Sequence, residues 1–144
     1  MKEPVSVGRA VLASVIAGWV GAVLANVTAI ILSRQMGQNF EQLNWFSISR
    51  ASMISCVMAG FVYSALARWT RRPVVWFAAL GLGVAAGDSV MVALHPPEAG
   101  FDRIANPLHF VVAISALVLI PALAPAFPQP NTGRAMPPPV PEKA

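Results

Sequence analysis

The sequence predicts an all-α fold: an antiparallel bundle of four transmembrane helices followed by a disordered, Pro-rich C-terminal tail. Three observations carry that prediction. The 144 residues are 56% hydrophobic and only 11% charged. The apolar residues fall into long runs of about twenty, the length at which a helix crosses a bilayer. Breaks between the runs hold the charges together with Gly37, Pro73, Pro96 and Pro97. The expected organisation is a head at 1–9, a four-helix domain at 10–127 with spans near 10–32, 48–67, 74–94 and 105–125, and a tail at 128–144.

The first span follows a short head carrying Lys2 and Arg9. Ala10, Ser14, Gly18, Ala22 and Asn26 recur every four residues, which puts small groups and one amide on a single helical stripe suited to close packing. A cleavable signal peptide is the rival reading, since Val23 and Ala25 suit a cleavage site, but the apolar run continues to Leu32. From Ser33 to Ser47 the chain turns polar and reads as a loop or short surface helix, with Trp45 and Phe46 placed for an interfacial aromatic belt. The second span repeats the small-residue spacing at Ser52, Cys56, Gly60 and Ser64. Arg50 lies in its first turn, where its long side chain either snorkels to the interface or takes a buried role.

Ala67-Arg68-Trp69-Thr70-Arg71-Arg72-Pro73 is a very tight connection, so the second and third spans are expected to form an antiparallel hairpin. The third span carries Trp76 near its start and a GxxxG pair at Gly83 and Gly87, which predicts a close neighbour. His95 to Arg103 form the next loop, stopped by Pro96 and Pro97. The fourth span starts either at Asn106, read as an N-cap before a first-turn Pro107, or nearer Asp102. Pro121 and Pro125 bend and end it. Beyond Pro128, with Pro137, Pro138, Pro139 and Pro141, the chain cannot bury a core and is expected to be disordered or extended.

The net charge of +4 does not signal nucleic acid, because no basic run is interleaved with aromatics. The arginines gather where apolar runs end, and Arg68, Arg71 and Arg72 read as topology determinants. Together with Lys2, Arg9, Arg134 and Lys143 they outnumber Arg34, Arg50 and Arg103 on the other side. The positive-inside rule then places both termini in the cytoplasm, in a multi-pass protein of the cell membrane. The single cysteine, Cys56, reads as a packing residue; with two histidines beside it there are too few soft ligands for a metal centre.

Asp88 is the anomaly. A carboxyl within a span costs roughly 2.5 to 3.5 kcal/mol on insertion scales and faces protein groups or a wet cavity. Asn26, Ser52, Ser55 and His109 fall at a similar depth in the outer leaflet, with Arg50 as a candidate counter-ion. One reading is a structural cluster in which these groups satisfy one another. The other is a small outward-facing pocket, with Asp88 as proton or cation acceptor and His109 as its titratable neighbour.

Asn26 late in the first span, the arginine-rich turn at 67–73, Asp88 near the outer end of the third span, Leu108-His109 and Leu119-Ile120-Pro121-Ala122-Leu123 carry a resemblance. The chain resembles, over about 7–124, a family of small bacterial four-span membrane proteins known as a domain of unknown function. Such relatives usually have proline where this chain has Gly87. The resemblance implies four helices in a bacterial inner membrane and supplies no activity.

No GxSxG, HExxH or phosphate loop is present, so no catalytic residues are assigned and a non-catalytic protein without cofactor is expected. Its expected partners are the lipid bilayer and, through the small-residue faces, a second copy. The alternative is a proton-coupled small transporter acting as a homodimer. Small multidrug exporters are similar in size but carry their essential glutamate in the first span, where this chain has only Asn26. A haem or quinone redox protein is the lesser alternative, since His109 is the sole histidine placed within a span.

Overall fold

The computed structural model describes residues 5–126; the first four residues and the predicted tail lie outside the described residues. Among the described residues the fold is all-helical. Four long helices, α1 (Val7–Met36), α2 (Trp45–Trp69), α3 (Pro73–Leu94) and α4 (Phe101–Leu123), run up and down, with a short 3-10 turn at Glu41–Leu43. Each is long and apolar enough to cross a membrane. The connections α1–α2 and α3–α4 lie together at one end of the bundle, here the distal end. The α2–α3 connection shares the other end with the start of α1 and the end of α4.

Local chemistry sets where each helix begins and ends. α1 closes on Gly37, whose φ of 63° lies in the left-handed region, and the Gln38 N–H then donates to the Ser33 carbonyl at 3.2 Å, the pattern that satisfies late helical carbonyls. Asn44 caps α2, its side-chain oxygen accepting from the Ser47 N–H at 2.9 Å. This cap starts α2 three residues before the predicted span. α4 starts at Phe101 after Gly100, whose φ is 84°. The N-cap reading of Asn106 is therefore corrected: Pro107 lies inside the helix, and the start nearer Asp102 is the one adopted. At the opposite end Arg9 reaches across from α1 and donates to the Ala124 carbonyl at 3.0 Å and to that of Pro125. Those carbonyls lack helical donors, so the guanidinium ties the two terminal segments together.

The core is built on small residues. Ala10, Ala13, Ser14, Ala17, Gly18, Gly21, Ala22, Ala25 and Ala29 of α1 are buried, and α1 packs most extensively on α2 and α4. A Cβ placed on Gly60 would fall 2.7 Å from the Cβ of Ser14 and 3.0 Å from the Ala10 carbonyl; one on Gly18 would fall 2.8 Å from the sulfur of Met53. The predicted stripes thus form the α1–α2 seam. Buried serines sit in this core at no polar cost, because Ser14, Ser52 and Ser64 of α1 and α2 and Ser115 of α4 each donate to a carbonyl of their own helix.

α3 stands apart. Only Phe77 and Ala85 are buried in it, and it packs on α4 far more than on α2. The predicted α2–α3 hairpin has the expected short connection but is splayed: Tyr63 meets Phe77 edge-on at 5.2 Å near that connection, and beyond them the helices separate. At Gly83 and Gly87 a Cβ would meet nothing within 4 Å, so the close neighbour expected there is absent among the described residues. Gly81, one turn away, makes the α4 contact instead, against Leu117. The distal end is closed by Phe40 stacking edge-on with Phe101 at 5.4 Å.

This packing separates two glycine classes. Gly60→Val should destabilise the bundle by about 1–3 kcal/mol through overpacking of the α1–α2 seam, whereas Gly87→Ala should be neutral or stabilise by up to about 1 kcal/mol from helix propensity. Unfolding in mixed micelles measures both; equal losses at the two positions would contradict the packing.

Candidate functional site

A cavity of about 770 Å³ lies between α2, α3 and α4. That volume lies within the usual range for small-molecule pockets. Its walls combine a long apolar surface, including Met58, Val62, Phe77, Leu80, Val84 and Leu117, with a polar group at the distal end formed by Gln42, Ser47, Arg50, Ser55, Asp88 and His109.

The register of the helices explains why those side chains meet. Ser14 meets Gly60 and Asn26 meets Ser49 across α1–α2; Gly21 meets Ser115 across α1–α4; Leu117 meets Gly81 across α4–α3. Continuing these antiparallel contacts toward the distal end, at the common helical rise, brings Asn26, Arg50, Asp88 and His109 to one level. Asp88 lies six residues before the end of α3, about 9 Å along the axis, and Arg50 five residues after the start of α2, about 7.5 Å.

The layer divides into two parts. Asn26 is a packing residue: its amide donates to the Ala22 carbonyl at 2.8 Å and to the Ser49 hydroxyl at 3.0 Å, bridging α1 and α2. Ser52, 2% exposed, donates to the Ile48 carbonyl at 2.8 Å. Arg50, Ser55 and Asp88 are left uncovered by the chain and line the cavity with Ser52 and His109. Among the described residues no hydrogen bond or ion pair joins any two of Asp88, His109, Asn26, Ser52, Ser55 and Arg50. The cluster of mutually satisfied groups is thus replaced by a self-satisfied α1–α2 pair beside an open polar rim.

Among the described residues three buried polar atoms lack a partner: the Ser89 hydroxyl, the Asn106 side-chain oxygen and His109 Nδ1. All belong to α3 and α4 near the distal end, and buried polar atoms without partners are rare. Ser89 and Asn106 escaped sequence reasoning because their burial depends on how α3 docks on α4. Ser49, the partner of Asn26, escaped for the same reason, since helix register is not written in either helix alone. Among the described residues no group of three His, Cys, Asp or Glu side chains is arranged to hold a metal ion.

Comparison with protein-family models, with curated proteins and with solved structures finds no match. The functional reading therefore rests on the cavity and its rim.

The division of the layer has a direct test in stability. Asn26→Ala should cost about 0.6 to 1.7 kcal/mol, the range of interhelical hydrogen bonds measured in membrane bundles, and should show coupling to Ser49→Ala in a double-mutant cycle. Asp88→Asn should leave stability within about 0.5 kcal/mol, as for substitutions without native partners. A larger loss at Asp88 than at Asn26 would contradict the assignment.

Proposed function

We propose that this chain is a non-catalytic, multi-pass protein of the cell membrane, of the small bacterial four-span kind its sequence resembles, and that its cavity binds an amphipathic small molecule. The observation that carries this reading is the polarity gradient of the cavity. A hydrocarbon-lined body ends in a carboxylate, a guanidinium and an imidazole that have no partners within the described chain. Such a site offers burial to an apolar group and a few fixed polar contacts to orient it.

The exterior supports the membrane setting. Trp19, Val23, Ile30, Phe61, Val75, Leu82, Val90, Ile114 and Val118 are all more than a third exposed, an apolar surface beyond what a soluble monomer presents. Trp45 and Phe46 at the distal end, and Trp69 and Trp76 near the α2–α3 connection, are uncovered too and form belts suited to two interfaces. Arg68, Arg71 and Arg72 at the α2–α3 connection favour a cytoplasmic side for that end, and in this reading the polar rim of the cavity lies in the outer leaflet.

A second reading, proton-coupled transport by a homodimer, is favoured by one feature: Asp88 and His109 line the same cavity from the neighbouring helices α3 and α4. It differs from simple binding in requiring proton release when a hydrophobic cation is added.

A photoactivatable alkyl probe tests the binding reading. Added to the protein in maltoside micelles, an alkyl diazirine should form adducts concentrated on cavity residues such as Met58, Val62 and Leu80. Ala51→Trp and Val84→Trp, which place bulk into the cavity from uncovered positions, should reduce those adducts several-fold. Adducts spread evenly over Leu12, Trp19 and Val118, and unchanged in both variants, would refute it.

A further inference from the structure

We infer that the cavity takes a zwitterionic amphiphile, a membrane lipid whose phosphate is held by Arg50, whose primary ammonium is held by Asp88, and whose hydrocarbon tail lies among Met58, Val62, Phe77 and Leu80. This rests on the binding reading above and names its ligand class.

Charge complementarity carries the assignment. Arg50 on α2 and Asp88 on α3 line one cavity from two different helices, at one level of the bundle, and no ion pair joins them among the described residues. Within the hydrocarbon depth of a bilayer each charge needs a counter-charge. An occupant with only an anionic head would match Arg50 and leave Asp88 facing like charge, and a purely cationic head would do the reverse. A head with both charges satisfies both walls and leaves the site neutral. Guanidinium binds phosphate through paired N–H donors, and His109, whose Nδ1 has no partner among the described residues, adds a further polar contact at the rim.

The walls and their access indicate a lipid in place of a free water-soluble zwitterion. The inner part of the cavity presents apolar side chains, which a headgroup alone would leave unfilled. Arg50, Ile54 and Met58 on α2 and Leu80, Val84 and Asp88 on α3 line the cavity and are uncovered by the chain, so the splayed pair admits an occupant sideways from the bilayer. The charged pair lies about 7.5 to 9 Å inside the helix ends. A headgroup bound there is drawn below the layer of its neighbours, which separates a recognised lipid from one that merely coats the exterior.

The test is lipid retention by the full-length protein, delipidated in maltoside and read by native mass spectrometry. Equimolar dioleoyl phosphatidylethanolamine, dioleoyl phosphatidylglycerol and dioleoyl trimethylammonium propane would be added in competition, with glycerophosphoethanolamine as the tail-free arm. The zwitterionic lipid should be retained about tenfold over either singly charged lipid, the scale of one hydrogen bond to a charged group. The tail-free headgroup should not be retained. R50Q should erase the preference over the cationic lipid and D88N the preference over the anionic one, with circular dichroism melts reporting that both variants fold. Equal retention of the three lipids would overturn the inference, as would retention of the tail-free headgroup or a preference unchanged in both variants; the wild-type ranking decides even if a variant unfolds. Equal retention with photoadducts still in the cavity refutes the ligand class alone, whereas loss of both signals refutes the binding reading itself.

Discussion

The α1–α2 seam is the contact on which the rest of the structure depends. Ser14 fits against Gly60 closely enough that no β-carbon has room there, and at Gly18 a β-carbon would force the Met53 side chain to move. In a bilayer, where lipid tails are as apolar as leucine, helices associate through such close packing and through hydrogen bonds between them. Both operate in this seam, the second as the Asn26–Ser49 bond. Once α1 has drawn α2 to one side and α4 to the other, three helices share one core. α3 is then left to pack against α4, with its connection to α2 holding only the end at Tyr63 and Phe77. The cavity is the consequence of that unequal division.

A site formed this way differs from a core polar network. Each buried serine of the seam has a backbone acceptor within its own helix, so the tightly packed half of the molecule carries its polar atoms without demanding anything from its neighbours. The polar atoms without partners, on Ser89, Asn106 and His109, belong to the loosely packed half, beside the uncovered Asp88 and Arg50. The contacts that hold the bundle together are thereby separated in space from the polar rim, so substitutions at the rim leave those contacts in place.

Much of the fold was legible in the sequence because its signals are local. Hydrophobic runs, Gly37 and the prolines speak for the four helices and their ends, and the small-residue spacing of α1 and α2 identifies the faces that meet. Asp88, Arg50, Ser55 and His109 could be placed at one depth from their distance to the helix ends. Which of those residues bond to one another could not be read, because it depends on rotation and register between helices. Asn26 shows this: sequence grouped it with Asp88, while its amide in fact turns to Ser49. The Gly83–Gly87 pair shows the converse, a packing motif on a face that nothing in the described chain covers, while Gly81 makes the contact. Asn106 before Pro107 imitates a helix start, yet Gly100, with its left-handed backbone, begins α4 earlier.

The central claim is that α2 and α3 are splayed around an accessible cavity beside a sealed α1–α2 seam. Cysteine accessibility of the delipidated protein in maltoside micelles measures it most directly. In a Cys56→Ala background, cysteines at Ser55, a cavity position, and at Ser14, in the seam, would be treated with a small uncharged maleimide. Ready modification at position 55 and protection at position 14 is the result this account predicts; equal protection at both would show that α2 and α3 close on one another and would contradict it.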